Sequence, residues 1–201
     1  MAGRFDNMTK AVQGPAAKLL SVANLTLDTP VAAPASALPE VVMAELDGKG
    51  AIVDQLKLMA VVLPPRERVW WACLAARDMV GPGDHASLSL KTAEDWVRRP
   101  TDENREAARA TLDHARIGDD TVHCAEAVLY ADGTLGPGDL AQYPAPAGAS
   151  EILAFVMNVK AMGAHDGDPM AYGSHLVARA VDIARGGNGK IEMAQSAPQE
   201  V

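Results

Sequence analysis

The most site-like cluster in the 201-residue chain is His165-Asp166-Gly167-Asp168, followed by His175. Two carboxylates two positions apart beside an imidazole could hold a divalent cation, or an imidazole could serve a hydrolytic serine as its base. An oxygen cage needs several more ligands, and the EF-hand spacing is absent. The same residues read more simply as a helix entry, with Asp168 as the cap and Pro169 in the first turn. His114 and His123-Cys124 offer softer ligands, but no CxxC or HxxxH pair accompanies them, so zinc is not expected. GGNGK (186–190) lacks the preceding strand and the following Ser/Thr of a phosphate loop, and no GxSxG elbow occurs. Triads are scattered in sequence, so His85, Asp84 or His175 with a serine stay open as a hydrolase set. No catalytic, cofactor-binding or metal-ligating residue is assigned on this basis. The leading expectation is a non-enzymatic interaction or accessory protein. The alternative is a small hydrolase or metal-dependent enzyme using the His165–Asp168 turn and His175.

The chain's bulk properties narrow the field further. The formal net charge is −8, and no basic run interleaved with aromatics occurs, which argues against nucleic acid and leaves a protein as the expected partner. Apolar residues make up 48% of the chain but aromatics only 4%. Small apolar residues allow close helix–helix approach, and alanine favours helix, so packed helices are expected rather than sheets. No run approaches the roughly 18 apolar residues of a membrane span, and the N-terminus lacks a signal-peptide core, so no membrane insertion and a cytoplasmic location are expected. Cys73 and Cys124 each lie in an apolar helical run and read as small buried thiols. A disulfide between them is not required by any spacing.

The positioning elements follow from periodicity and breakers. Residues 1–37 read as an N-terminal arm with a Pro/Ala-rich linker, residues 38–187 as the helical domain, and residues 188–201 as a flexible tail. Within the arm, FDNMTKAV, capped by Asp6, and AAKLLSVANL are expected helical, and residues 28–38 extended. Pro39 is expected to open a short helix, PEVVMAEL. Ile52, Leu56, Met59 and Leu63 recur at helical spacing, and Pro64-Pro65 ends that helix, with Pro65 free to open the next. The next helix holds Trp70-Trp71. Adjacent helical positions point about 100° apart, so one stripe cannot hold both rings. Apolar residues cover almost its whole circumference, which predicts a central helix packed on several sides, with Arg66 or Arg77 against the Trp70 face. GPGDHAS (81–87) is a turn. Helices are expected over 87–99, 102–117, 121–131 and 150–162, and from Pro169 to Arg185. The fold expectation is therefore all-α, a single bundle of about seven to eight helices. Its expected structural core is Leu56, Met59, Val69, Trp70, Cys73, Trp96, Leu112 and Phe155.

Residues 132–149 hold four glycines and three prolines and form the longest interruption in the body. Loops of that length commonly carry function. Leu135, Leu140 and Tyr143 in this loop, with Trp71, make up the candidate interaction surface.

Three segments also carry a resemblance: LPPRERVWWACLAAR, AEDWVRRPTDENREAA and AVLYADGTLGPGDLAQYPAPAGAS. Together they resemble a bacterial domain-of-unknown-function family with an LPxREaVWWAC-type block, over roughly residues 38–185. The chain departs from it at Leu129-Tyr130-Ala131-Asp132, where the family has a tryptophan and small residues. The resemblance implies a neighbourhood of type VI secretion genes, and it carries no catalytic residues over.

Overall fold

Prolines open three of the helices, as expected where a missing N–H costs nothing: α2 (Pro39–Gly48), α4 (Pro65–Val80) and α9 (Pro169–Ala184). The structure is a computed structural model and describes residues 3–81 and 85–193. Residues 82–84 of the predicted 81–87 turn, Asp84 among them, and the tail from 194 onward lie outside the described residues. The other helices are α1 (Ala16–Val22), α3 (Ile52–Val62), α5 (Leu88–Arg98), α6 (Asp102–Leu112), α7 (Val122–Leu129) and α8 (Ala149–Ala164), with a 3-10 turn at Gly138–Gln142. The fold is all-helical, with no strand among the described residues. No described helix is long and apolar enough to cross a membrane.

Helix α4 lies at the centre and packs against α5, α7, α8 and α9. Its faces serve two separate cores. Trp71, Leu74 and Ala75 join a cluster built from the arm, α2, α3 and α9, while Val69, Ala72, Cys73 and Ala76 join one built from α5 to α8. A helix apolar on nearly every side is thus buried between two layers. Leu56, Met59, Val69 and Cys73 are fully buried and Trp96 nearly so, whereas Leu112 and Phe155 are only half-buried at the margins of the two clusters.

The two indoles differ in burial. Trp71, placed by sequence on a candidate interaction surface, is completely buried, and its Nε1 donates to the Leu176 carbonyl. Trp70, expected in the core, is half-buried and packs at the edge of both clusters. Apolar periodicity places both residues on apolar arcs. Only the position of α9 decides which arc is covered completely. The cation over the Trp70 ring is Lys190, whose Nζ lies 5.7 Å from the centroid, whereas Arg66 Nε donates to the Val97 carbonyl and Arg77 pairs with Glu94.

The arm is part of the body's packing. Phe5, Met8, Leu20 and Ala23 are buried in the first cluster. FDNMTKAV is a series of turns rather than a helix, and Asn7 sits at φ 64°. Asp6, Thr9 and Ala11 make local turn bonds, while Lys10 N donates to Ala184 O and Val12 N to Val62 O, the final carbonyls of α9 and α3. Those carbonyls have no partner within their own helices.

The linker is held by two carboxylates. Asp54 accepts from the Asp28 and Thr29 amides, and Glu45 accepts from the Ala32 and Ala33 amides. Helix α6 stops at Leu112 instead of continuing to Ile117; residues 113–118 are exposed, Ala115 and Ile117 included. With no surface for that turn to bury, nothing pays for its propagation.

Pro64-Pro65 explains a buried charge. Pro64 has no N–H to give the Ala60 carbonyl, its normal i−4 partner. The Arg68 side chain supplies the donors instead, Nε to Ala60 O at 2.6 Å and Nη2 to Leu63 O at 3.0 Å. Arg68 is 4% exposed and also pairs with Glu151 at the start of α8. Burial pulls its pKa down, and the Glu151 carboxylate works against that.

Candidate functional site

The loop between α7 and α8 is ordered from its base outward. Leu135 N donates to Tyr143 O and Ala145 N to Gly133 O, with an antiparallel bridge between Thr134 and Pro144. Arg105 of α6, only 3% exposed, reaches under this base. Its guanidinium donates to the Leu129 and Thr134 carbonyls and the Thr134 hydroxyl, and it pairs with Asp132. Three backbone and hydroxyl acceptors and one carboxylate are thus gathered by one planar donor fork. At the far end, Gly148 has φ 72°, and a Cβ there would lie 2.0 Å from the Ala23 carbonyl oxygen. Only glycine fits where the loop re-enters against the arm.

At the tip every residue from 138 to 144 is exposed, including Leu140 at 40% and Tyr143 at 52%. Leu135 is half-buried, and with Leu140 and Tyr143 it belongs to one anchored projection. Trp71 lies in the core and contributes nothing to that surface.

The HDGD turn forms a second polar cluster. Asp168 caps α9, its Oδ1 accepting from Met170 N at 2.9 Å. The His165 ring stacks on Tyr172, centroids 4.2 Å apart, and Tyr172 lies 6.0 Å from the His175 ring. The Tyr172 hydroxyl donates to Asp78 Oδ2 at 2.6 Å, and Arg179 also donates to Asp78. Burial, then the Asp78 carboxylate, push the Tyr172 hydroxyl well above its ordinary range. Burial, then the Arg179 guanidinium, lower the His175 pKa. Asp78, His165, Tyr172, His175 and Arg179 line a hollow of about 520 Å³.

The arrangement is chemically restrained. The Asp78 carboxylate is already held by a phenol and a guanidinium, and Asp168 is used as a cap. Among the described residues no group of three or more His, Cys, Asp or Glu side chains is gathered for a metal ion. His123 Nδ1 lies 2.8 Å from Glu126, and His114 lines a different hollow with His85 and Ser87. There Ser87 Oγ accepts from Leu90 N and meets Thr121 Oγ1 at 2.6 Å, which donates to Asp119. Among the described residues no serine hydroxyl is hydrogen-bonded to an imidazole. Cys73 and Cys124 are both buried free thiols.

Sequence reasoning missed Arg105, Arg68 and Asp78. Each looks like a solvated helix charge in the linear pattern. The only linear hint was the Pro64-Pro65 pair, which leaves a carbonyl without its donor.

No curated protein and no solved structure matches the chain significantly. Residues 42–184 match DUF6931, a family of unknown function, and that match covers α3 to α9 with most of α2. The chain therefore belongs to the DUF6931 family, and its first 41 residues add the arm and linker outside the matched region.

Proposed function

We propose that the chain is a non-enzymatic interaction protein that presents the 133–148 loop to a protein partner. One observation carries this reading: a buried arginine fastens the base of a loop whose tip keeps Leu140 and Tyr143 in solvent. A rigid scaffold with an exposed tyrosine and leucine at its end suits partner recognition, because little conformational entropy is lost on docking. The net charge of −8 supports a protein rather than a nucleic acid as that partner. A bacterial source, a cytoplasmic setting and an accessory role beside a type VI secretion apparatus form the finer part of the proposal, drawn from the resemblance of the three segments.

The test places a photo-crosslinking residue at Tyr143, and separately at the more exposed Ile117, in cells that express the chain natively. A single defined adduct is expected from position 143 and none from 117, and Leu140→Asp in the same chain should abolish it. Identical patterns from both positions would sink the reading.

A second reading, a small hydrolase or metal-dependent enzyme at the His165–Asp168 turn and His175, is favoured by the stacked His165–Tyr172 pair beside His175. Turnover of any ester or phosphoester that disappears in both His175→Ala and His165→Ala, with folding retained, would support it. Absence of turnover, or turnover indifferent to both changes, removes it.

A further inference from the structure

Trp70 is the floor of a different hollow, of about 390 Å³, away from the 133–148 loop. Two of the segments singled out in the sequence meet there. Arg66 and Trp70 come from the start of α4, and Val97 and Arg98 from the end of α5. A strap following α9 closes the third side. Trp70 Nε1 donates to Asn188 O at 2.7 Å, and Gly189 N donates to Asp182 at 2.8 Å. Gly189 has φ 70°, and a Cβ there would lie 2.7 Å from Leu74 and 2.8 Å from Ile183. The strap is therefore pressed onto the core, and residues 188–190, expected to fray, pack on the body. It carries Lys190 over the indole.

The charge around this hollow is opposite to that of the chain as a whole, whose formal net value is −8. Lys10, Arg66, Arg98 and Lys190 line it against Glu67 and Glu94. Glu94 is already held bidentately by Arg77, at 2.7 and 2.6 Å, and Glu67 meets Lys10 only at 3.8 Å. Arg66 spends Nε on the Val97 carbonyl, leaving its two terminal nitrogens without a partner among the described residues. Lys190 Nζ has the indole face as its partner and no carboxylate among the described residues. Free guanidinium and ammonium donors beside an apolar wall of Trp70, Val97 and Ile183 set a definite preference. Binding pockets for small molecules pair a mainly apolar lining with a few convergent polar groups, and start at about 300 Å³.

We propose that this hollow binds a small organic anion, a carboxylate or phosphate head on a flat apolar body. The head meets Arg66 and Lys190, and the body lies against Trp70 and Val97. Guanidinium donates to such heads in a bidentate fork, and desolvation at the indole edge strengthens the contact.

The three indole N–H resonances of the 15N-labelled full chain provide the readout, with Trp70→Phe assigning its own peak. The probes are benzoate, phenyl phosphate, inorganic phosphate and the uncharged benzyl alcohol. Saturable movement of the Trp70 peak with benzoate or phenyl phosphate is expected, and the tighter of the two tells a carboxylate ligand from a phosphate one. Lys190→Gln, which in the free protein gives up only the ring contact, and Arg66→Gln should each weaken it by about tenfold, the worth of one charge-assisted hydrogen bond. The Trp71 and Trp96 peaks serve as the check on folding in both variants. Equal binding of benzyl alcohol would overturn the anionic head, and equal binding of inorganic phosphate would overturn the apolar body. No saturable movement with any probe, or unchanged affinity in both variants, overturns the site altogether.

Discussion

Trp71 Nε1 donates to the carbonyl oxygen of Leu176, 2.9 Å away, and so ties the middle of α4 to the middle of α9. This bond lies in the interior, whereas the equivalent bond of Trp70, to Asn188, lies at the surface. The neighbouring indoles therefore differ in energetic weight. Trp71→Phe is expected to destabilise by about 2–4 kcal/mol, through lost volume and a lost buried hydrogen bond. Trp70→Phe should cost less than about 1.5 kcal/mol. Urea unfolding midpoints decide, and a larger loss at Trp70 would reverse the assignment of core and margin.

Arg68 offers a second stability test. Arg68→Met should cost about 2–4 kcal/mol, because two buried carbonyls and Glu151 lose their donor together. Arg68→Lys should recover less than half of that, since an ammonium cannot fork across three acceptors. Glu151→Gln should be milder than either, with the two carbonyl bonds intact. Full recovery by lysine would show that charge alone, rather than planar geometry, matters at this position.

Acid should release the linker. Burial works to raise the Asp54 pKa, but the amides of Asp28 and Thr29, the Thr29 hydroxyl and the Lys57 ammonium together bring it below 3.8. Bonds from Lys49, Ala32 and Ala33 bring Glu45 to about 2. A carboxylate whose folded pKa is depressed stabilises fully above its unfolded pKa and loses that contribution as pH falls through the folded value. Stability measured in urea should therefore be flat from about pH 5 to 7 and decline below about pH 4. Asp54→Asn should lower the plateau and flatten the decline. An acid slope unchanged in that variant would place the titrating groups elsewhere.

Loosening the 133–148 loop should be possible without unfolding the bundle. Arg105→Gln removes the fork under Leu129, Thr134 and Asp132. Hydrogen exchange at the Leu135 and Ala145 amides, which bond within the loop, should accelerate by about tenfold or more, while α4 amides keep their protection. Uniform acceleration across the chain would mean that Arg105 supports the whole fold instead.

Cys73 and Cys124 should be silent in the native protein. Burial, then the neighbouring Cys124 thiol, push the Cys73 pKa well above its ordinary value, and both side chains are fully buried. The thiolate is the reactive form. Ellman's reagent should therefore titrate neither thiol in buffer and both in denaturant. Rapid reaction in buffer would indicate an opening of the contact between α4 and α7.

Much of this architecture was legible in the linear pattern. Pro39, Pro65 and Pro169 open helices where expected, Asp168 caps α9, and the apolar circumference of α4 marks a helix buried on several sides. The candidate sites were less legible. Leu140 and Tyr143 could be placed on a long loop, but the anchor that orders it, Arg105, sits in a helix whose other charges face water. The arm segment FDNMTKAV has helical composition, yet its Lys10 and Val12 amides serve carbonyls of α9 and α3 that lie far away in the chain.

By itself the sequence determined helix type, several helix starts and the burial of α4, because those depend on proline stereochemistry and on a 3.6-residue repeat of apolar side chains. Tertiary structure decided which tryptophan is covered, which arginines are buried, and how the strap after α9 brings Lys190 onto Trp70. The arginines depend on which helix-end carbonyl lacks a donor, and the tryptophans on where α9 and its strap pack, and neither is visible until the helices are packed.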